Sequence, residues 1–151
     1  ITESLFVNTD EARLLTELPA SASFRKLSEA LYDLGPKIVS ITDGSNGAYS
    51  FDGHKLLFCE VFPGPTIERT GAGDAFGSGF VAGLMQAKRS GFSVKRLGEN
   101  KLTANRYTLD AIKFAIRLAS ANATSVVEQI GATEGILTNP ISLIPRQITT
   151  S

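Results

Sequence analysis

Residues 70–76 read Thr70-Gly71-Ala72-Gly73-Asp74-Ala75-Phe76, so a glycine turn and a lone carboxylate precede a helix-like segment at residues 75–88. The first backbone N–H groups of a helix have no partners within it and lie at its positive end. Gly71, Ala72 and Gly73 are therefore expected to direct amides at a bound phosphate. A carboxylate beside an anion site is electrostatically unfavourable, so its presence indicates a function. One such function is to accept the proton of a hydroxyl that attacks a phosphoryl group. The stretch therefore indicates phosphoryl transfer.

The same residues leave a purely structural alternative open. Glycine turns often precede helices, and Asp is favoured in a first helical turn by the helix dipole and by capping. Two other nucleotide sites fit less well. A dinucleotide-binding fingerprint would need a third glycine where Phe76 stands, and no Gly-Lys-Ser or Gly-Lys-Thr occurs for a P-loop. On the residues alone, a structural turn and a phosphate site are equally acceptable.

The composition excludes several classes of partner. Lys and Arg number 15 and Asp and Glu number 15, so no basic field would attract nucleic acid or a membrane surface. No apolar run approaches the roughly 18 residues that a bilayer-spanning helix needs. The single cysteine, Cys59, cannot form an internal disulfide, and a buried, inert thiol is expected. We therefore expect a globular, cytoplasmic protein whose partners are neither nucleic acid nor a membrane surface.

Helical and β-branched segments alternate along the chain, as an α/β fold requires. A strong hairpin signal, Asp52-Gly53, separates two strands and makes His54 a solvated turn residue. The predicted elements are helices at 8–17, 23–34, 75–88 and 109–128, and strands at 4–7, 37–42, 48–51 and 55–61.

Two helices carry unusual patterns. Glycine recurs at Gly77, Gly79 and Gly83, which destabilises a helix unless close packing compensates, and we expect that packing. The helix at 109–128 places Ile112, Ile116, Ala119, Ala123 and Val126 on one face and Lys113, Arg117 and Ser120 on the other. Between these helices, residues 87–107 predict a basic, solvated connection, with a role toward nucleotide phosphates as the alternative. The tail from residue 137 onward predicts a last strand and a loose end.

Four segments together resemble the PfkB, or ribokinase-like, carbohydrate kinases. Residues 68–80 resemble the family's second signature, D-T-x-G-A-G-D-x-F-x-x-G. Residues 8–11 resemble its N-x-x-E element, residues 42–47 its T-x-G-x-x-G loop, and Gly131-Ala132 the Gly-Ala pair after its adenine-side helix. The segments follow in the family's order, and the resemblance covers most of the chain.

The resemblance implies a three-layer α/β/α ribokinase-like fold with a β-hairpin. Members of the family are usually longer, and their catalytic signature lies later in the chain. Residues 1–151 are therefore predicted to be a partial kinase domain, the carboxyl-terminal half. In the family, the amino-terminal half supplies much of the sugar-contacting surface and a β-sheet lid. A homodimer of the full-length protein is compatible with this resemblance.

The resemblance also implies the chemistry. Asp74 would accept the proton of a sugar or nucleoside hydroxyl as it attacks the γ-phosphate of ATP, while the amides of residues 71–73 stabilise the transferring group. Asn8 and Glu11 would hold Mg²⁺ and phosphate through water; a plain helix cap is the structural alternative. The remaining expected nucleotide contacts are Thr42, Gly44, Gly47, Thr70 and Ser120.

The chain departs from the pattern of the family at three positions, two of them in the signature. Glu68 stands where the family has Asp, and Arg69 replaces a residue that is commonly Thr. The leading Asp helps to form a monovalent-cation site in many members, so Glu68 as a ligand and K⁺ as a cofactor are left open. Ser120 stands where some members carry Asn near the adenine. A non-catalytic nucleotide-binding or interaction module is the alternative function.

Overall fold

The computed structural model describes residues 2–89, 107–131, 135–137 and 148–150. Within these ranges the strands form one sheet in the order β1-β2-β3-β4-β5. Strand β1 pairs with β2 in parallel, and the three other pairings are antiparallel. The strands are β1 (Ser4–Asn8), β2 (Ile38–Thr42), β3 (Ala48–Phe51), β4 (Leu56–Cys59) and β5 (Ile148–Thr150).

Four α-helices accompany this sheet in the described part of the chain. Three of them begin at residues with oxygen-bearing side chains, which accept a backbone N–H from the first turn: Asn8 for α1, Ser23 for α2 and Thr108 for α4. The helices are α1 (Thr9–Thr16), α2 (Phe24–Asp33), α3 (Ala72–Arg89) and α4 (Leu109–Val127).

Helices cover both faces of the sheet, which gives three α/β/α layers. Successive residues of a strand point to opposite faces, and β2 shows this clearly. Ile38 belongs to the core cluster with α3 and α4, whereas Val39 and Ile41 belong to the cluster with α1 and α2. Because both faces are covered, four of the five residues of β2 are buried. The predicted fold class is confirmed.

Helices α3 and α4 pack closely because α3 carries glycines on the shared face. A Cβ at Gly83 would lie 2.6 Å from the Cα of Ala115, and one at Gly79 would lie 3.0 Å from the Cα of Ala119. A Cβ at Gly77 would only touch the ring of Phe6, at 3.6 Å. The expected close packing of these glycines is confirmed, and it is tightest at Gly83.

The element boundaries differ modestly from the sequence prediction. The largest difference is the start of α3, which lies at Ala72 rather than Ala75, so Ala72 and Gly73 are helical residues. The hairpin is confirmed, with Gly53 at a φ of 90° and His54 exposed at the turn. Most of the predicted basic connection (residues 90–106) and most of the tail (residues 138–147) lie outside the described residues.

Candidate active site

A cleft of about 540 Å³ lies where the parallel strands end and α3 begins. Asn8 is the last residue of β1 and Thr42 the last of β2, and both line the cleft. In open α/β sheets, ligands bind outside the carboxyl ends of the strands. The cleft therefore occupies the position that the topology favours for a ligand.

The two ends of the cleft differ in chemistry. The end near the strands and the start of α3 is polar, and the end between α4 and the segment after β4 is largely apolar. The polar end is lined by Asn8, Thr42, Gly44, Ser45, Arg69 and Gly73, and the other by Val61, Phe62, Pro63, Ala123, Thr124 and Val127. A charged group at one end and a flat apolar group at the other would match this division.

The first turn of α3 carries the amides that face the polar end. Gly71 has a φ of 82°, a left-handed conformation that favours glycine, and its carbonyl accepts from the amide of Ala75 at 2.8 Å. The amide of Ala72 donates to the carbonyl of Arg69 at 3.3 Å. The amides of Gly73 and Asp74 are in the first turn, so the helix contains no carbonyl four residues earlier that could accept from them. These two amides are thus better placed for an anion than that of Ala72.

Gly71 and Gly73 differ in their backbone conformation. The glycine that needs a left-handed φ is Gly71, not Gly73. A Cβ at Gly73 would meet nothing within 4 Å, because the residue borders the open cleft. The absence of a side chain at Gly73 therefore keeps space free in the cleft rather than permitting a strained backbone.

Asp74 lies in the same first turn with an exposed side chain. It is not one of the residues that line the cleft, but it directly follows Gly73, which does. An acid at this end of a helix is favoured by the helix dipole. The structure places the carboxylate beside the polar end, accessible to a group that enters from solvent.

The loop between β2 and β3 is held by its own side chains. Asp43 accepts from Thr9 Oγ1 at 2.9 Å and from Asn46 Nδ2 at 2.9 Å, and its amide donates to the carbonyl of Gly47 at 2.8 Å. A Cβ at Gly47, whose φ is 127°, would lie 2.5 Å from the carbonyl oxygen of Cys59. The loop is thus a closed turn, and glycine at position 47 is required by the fold itself.

Asn8 and Glu11 form a capping box at the start of α1. The Asn8 side chain accepts from the amide of Glu11 at 2.9 Å, and Glu11 Oε2 accepts from the amide of Asn8 at 2.8 Å. The structural alternative for this pair is therefore present. Asn8 lines the cleft and Glu11 does not. Among the described residues, no group of three or more His, Cys, Asp or Glu side chains could hold a metal ion.

Glu68 connects the segment before α3 to the end of α4. Its Oε2 accepts from the amide of Gly131 at 2.9 Å, and its own amide donates to the carbonyl of Val127 at 3.2 Å. The bond from Gly131, with a second from the Thr70 side chain, holds the pKa of the Glu68 carboxyl below its ordinary value. The expected roles of Glu68 toward a cation and of Thr70 toward a nucleotide stay predictions.

Ser120 differs from its predicted position. It is not on an exposed face of α4 but is 4% exposed, lines the cleft and donates from Oγ to the carbonyl of Glu60 at 3.0 Å. Helix α4 is buried around most of its circumference, because the sheet contacts one side and α3 another. The periodic pattern identified the most apolar face but not the burial of its neighbours.

The structure brings seven of the predicted site residues to the cleft: Asn8, Thr42, Gly44, Gly47, Ala72, Gly73 and Ser120. Glu11, Glu68, Thr70, Gly71 and Asp74 lie outside its lining. Sequence reasoning missed the apolar wall and the buried Asn122. The wall had no local signal, whereas Asn122 could have been found as a polar residue in an apolar helical stripe.

The chain belongs to the pfkB family carbohydrate kinases, whose family model matches residues 2–139. An ATP-dependent 6-phosphofructokinase from Thermoanaerobacterium thermosaccharolyticum is 35% identical over 77 residues, which are 51% of this chain and 23% of that protein. A cytidine kinase from Thermococcus kodakarensis is 32% identical over 88 residues, which are 57% of this chain and 31% of that protein.

A solved structure shows the same fold. Ribokinase from Arabidopsis thaliana, in complex with ribose and ATP, superposes with a TM-score of 0.65 at 25% identity, covering 89% of this chain and 37% of that one. The chain thus spans 23% to 37% of the length of these proteins. In the described ranges, no helix has the length and apolarity to cross a membrane.

Proposed function

We propose that residues 1–151 are the nucleotide-binding, carboxyl-terminal part of a kinase that transfers a phosphoryl group from ATP to a hydroxyl of a sugar or nucleoside. One observation carries the proposal: a single cleft joins the first turn of α3 to an apolar wall on α4. Such a cleft can bind a phosphate chain at one end and a base at the other. Membership of the pfkB family supports the same activity.

The first turn of α3 would perform the chemistry. The amides of Gly73 and Asp74 lie at the positive end of a helix of 18 residues, where negative charge on the transferring phosphoryl group is stabilised. Asp74 would accept the proton of the acceptor hydroxyl as its oxygen attacks the γ-phosphorus, and the bond to the β-phosphate oxygen breaks. Arg69 would add positive charge beside the phosphates. General-base catalysis of this kind contributes about 10²–10⁴-fold.

Magnesium would enter with the nucleotide. Mg²⁺ usually keeps several waters and is held by one or two carboxylates together with substrate phosphates, so the sparse carboxylates of this site fit it. When bound, the ion neutralises charge on the β- and γ-phosphates. Asn8 and Glu11 would approach it through water from the start of α1. Monovalent-cation binding near Glu68 is the less supported part of the proposal, because two protein donors already engage its carboxylate.

The base would bind against α4. Ala123, Thr124 and Val127 of α4 line this part of the cleft together with Val61 and Phe62 of the segment after β4. Ser120 already donates its hydroxyl to Glu60, so it would shape this end of the cleft more than it reads the base.

The acceptor stays unspecified within its class, since the relatives named above differ in theirs. We also propose that the full-length protein is cytoplasmic and forms a homodimer.

One experiment separates catalysis from binding alone. ATP·Mg²⁺ is titrated into the 151-residue chain and into the full-length protein that contains it, and phosphoryl transfer to a panel of sugars and nucleosides is assayed on the same samples. We expect nucleotide binding by both and transfer only by the full-length protein. Binding by both without transfer to any acceptor would favour the non-catalytic module. That alternative is considered because the chain spans only 23% to 37% of the length of the relatives named above. Absence of binding would contradict both functions.

A further inference from the structure

Asn122 is the most completely engaged buried side chain of α4. It is 4% exposed, and both ends of its amide group are used. Nδ2 donates to the carbonyl of Ala75 at 2.8 Å, and Oδ1 accepts from the amide of Leu137 at 2.8 Å. Burial of an amide is tolerated only when its hydrogen bonds are made, and here they join three segments that are distant in sequence.

The bond to Ala75 connects the two walls of the candidate cleft. Asn122 directly precedes Ala123 and Thr124, which line the cleft from α4. Ala75 lies between Gly73 and Phe76, which line it from α3. This hydrogen bond therefore joins the first turn of one wall directly to the other wall.

The contact depends on a glycine of α3. A Cβ at Gly79 would lie 3.1 Å from the Cβ of Asn122 and 3.0 Å from the Cα of Ala119. Without a side chain at Gly79, α4 comes close enough for the short amide of Asn122 to reach the Ala75 carbonyl. The segment that leads into this turn is tied to α4 as well, because the amides of Ile67 and Glu68 both donate to the carbonyl of Val127. The turn is thus anchored before and after Asp74.

We propose that Asn122 is a positioning residue, which fixes the first turn of α3, and with it Asp74 and the Gly73 amide, relative to the nucleotide-binding wall of α4. The inference rests on the proposed kinase activity. Such positioning would affect catalysis, because a displacement of about 1 Å in a group that acts on the transition state can lower the rate about 10²-fold. The wall that binds the base belongs to α4 itself and would not move with α3.

The test uses Asn122→Leu, which keeps the number and branching of the side-chain heavy atoms, and Asn122→Ala, which removes all of them beyond Cβ, both in the full-length protein. Ser40→Ala is the matched control. Ser40 is 1% exposed and is hydrogen-bonded to Ser50 of the neighbouring strand at 2.8 Å, so its substitution also removes a buried polar contact, but one within the sheet rather than between α3 and α4. Single-turnover transfer, nucleotide affinity, thermal melting and amide hydrogen exchange are measured on all variants.

We expect kcat to fall about tenfold in both Asn122 variants while the Kd for ATP changes less than about twofold, because positioning affects the transition state more than ground-state binding. Amides of the first two turns of α3 should exchange about tenfold faster than in the wild type, with those of α2 unchanged. Ser40→Ala should lower the melting temperature and leave kcat as it was.

Two results would overturn the inference while the proposed function stands. The first is a kcat of the Asn122 variants within about twofold of that of an active wild type. The second is a loss of kcat in Ser40→Ala as large as in the Asn122 variants, at the same loss of Tm. If the wild type transfers to no acceptor, the proposed function fails instead. In that case, unchanged exchange in α3 would also overturn the anchoring role of Asn122.

Discussion

Helix α3 contains two groups of glycines that serve opposite purposes. In its first turn, a Cβ at Gly73 would meet nothing within 4 Å, because the residue borders the cleft. In its middle, a Cβ at Gly83 would lie 2.6 Å from the backbone of Ala115, and one at Gly79 would be nearly as close to Ala119. The same residue type thus leaves space for a ligand at one point and removes space between helices at the other.

The difference separates function from stability within one helix. Substitution in the first turn should disturb what enters the cleft, whereas substitution in the middle should disturb the packing of α3 on α4. The core cluster on this face includes Phe76, Phe80 and Leu84 of α3 together with Ile112 and Ile116 of α4. Variants along α3 can therefore test the contrast with a fixed pair of measurements, transfer rate and melting temperature.

The largest effect is expected at Asp74. Asp74→Asn in the full-length protein should lower kcat by about 10²-fold or more, because the amide keeps the size of the side chain and cannot accept the proton. The side chain is exposed, so thermal melting should change little. Nucleotide binding, followed by titration with ATP·Mg²⁺, should stay nearly intact. A loss of kcat smaller than about tenfold would show that Asp74 is not the base and would break the functional half of the comparison.

Gly73→Val should abolish most transfer while the fold survives. The new side chain projects into open cleft space, where the backbone is expected to approach a phosphate, and a helical φ at this position accepts it. Single-turnover transfer and thermal melting are measured on the same preparation. Normal transfer, or loss of activity only through unfolding, would remove the support for a phosphate-binding role of this turn.

Gly83→Val is the matched variant for the packing half of the comparison. It lies ten residues further along α3, about 15 Å away at roughly 1.5 Å per residue, too far to touch the same phosphate. Its Cβ would collide with the Ala115 backbone, which cannot rotate away. We expect a loss of about 3 kcal/mol in the free energy of unfolding, with transfer per folded molecule nearly preserved. A variant as stable as the wild type would contradict the close packing of α3 on α4.

The smallest effect is expected at Glu68, which ties the segment before α3 to Gly131. Its pKa is lowered in the folded protein, so its contribution to stability is fully present above its ordinary value of 4.5 and is lost as the pH falls through the lower folded value. Thermal melting of the wild type and of Glu68→Gln should therefore differ slightly at neutral pH and converge below pH 4.5. A difference in melting temperature that persists at low pH would show that the contact between Glu68 and Gly131 does not depend on the charge of the carboxylate.

The sequence alone determined most of the local structure. The helix starts predicted at residues 8, 23 and 109 lie within one residue of those in the structure, where Asn8, Ser23 and Thr108 are the capping residues. The hairpin at Asp52-Gly53 and the strand at 38–42 were equally predictable. These features depend on interactions between groups a few residues apart, so short segments of sequence are enough to predict them. The first turn of α3 was recognisable for the same reason, although its start was misplaced by one turn.

Tertiary structure alone decided what these segments form together. The bond from Asn122 to Ala75 spans 47 residues, that from Ser120 to Glu60 spans 60, and that from Gly131 to Glu68 spans 63. No local pattern announced them, because each depends on how closely α4 packs against α3 and against the end of β4. The apolar wall of the cleft and the different purposes of Gly73 and Gly83 have the same origin. The role of a glycine cannot be inferred from a side chain, because it has none. Only the residues that the fold places next to it determine whether it borders open cleft space or allows two helices to pack closely.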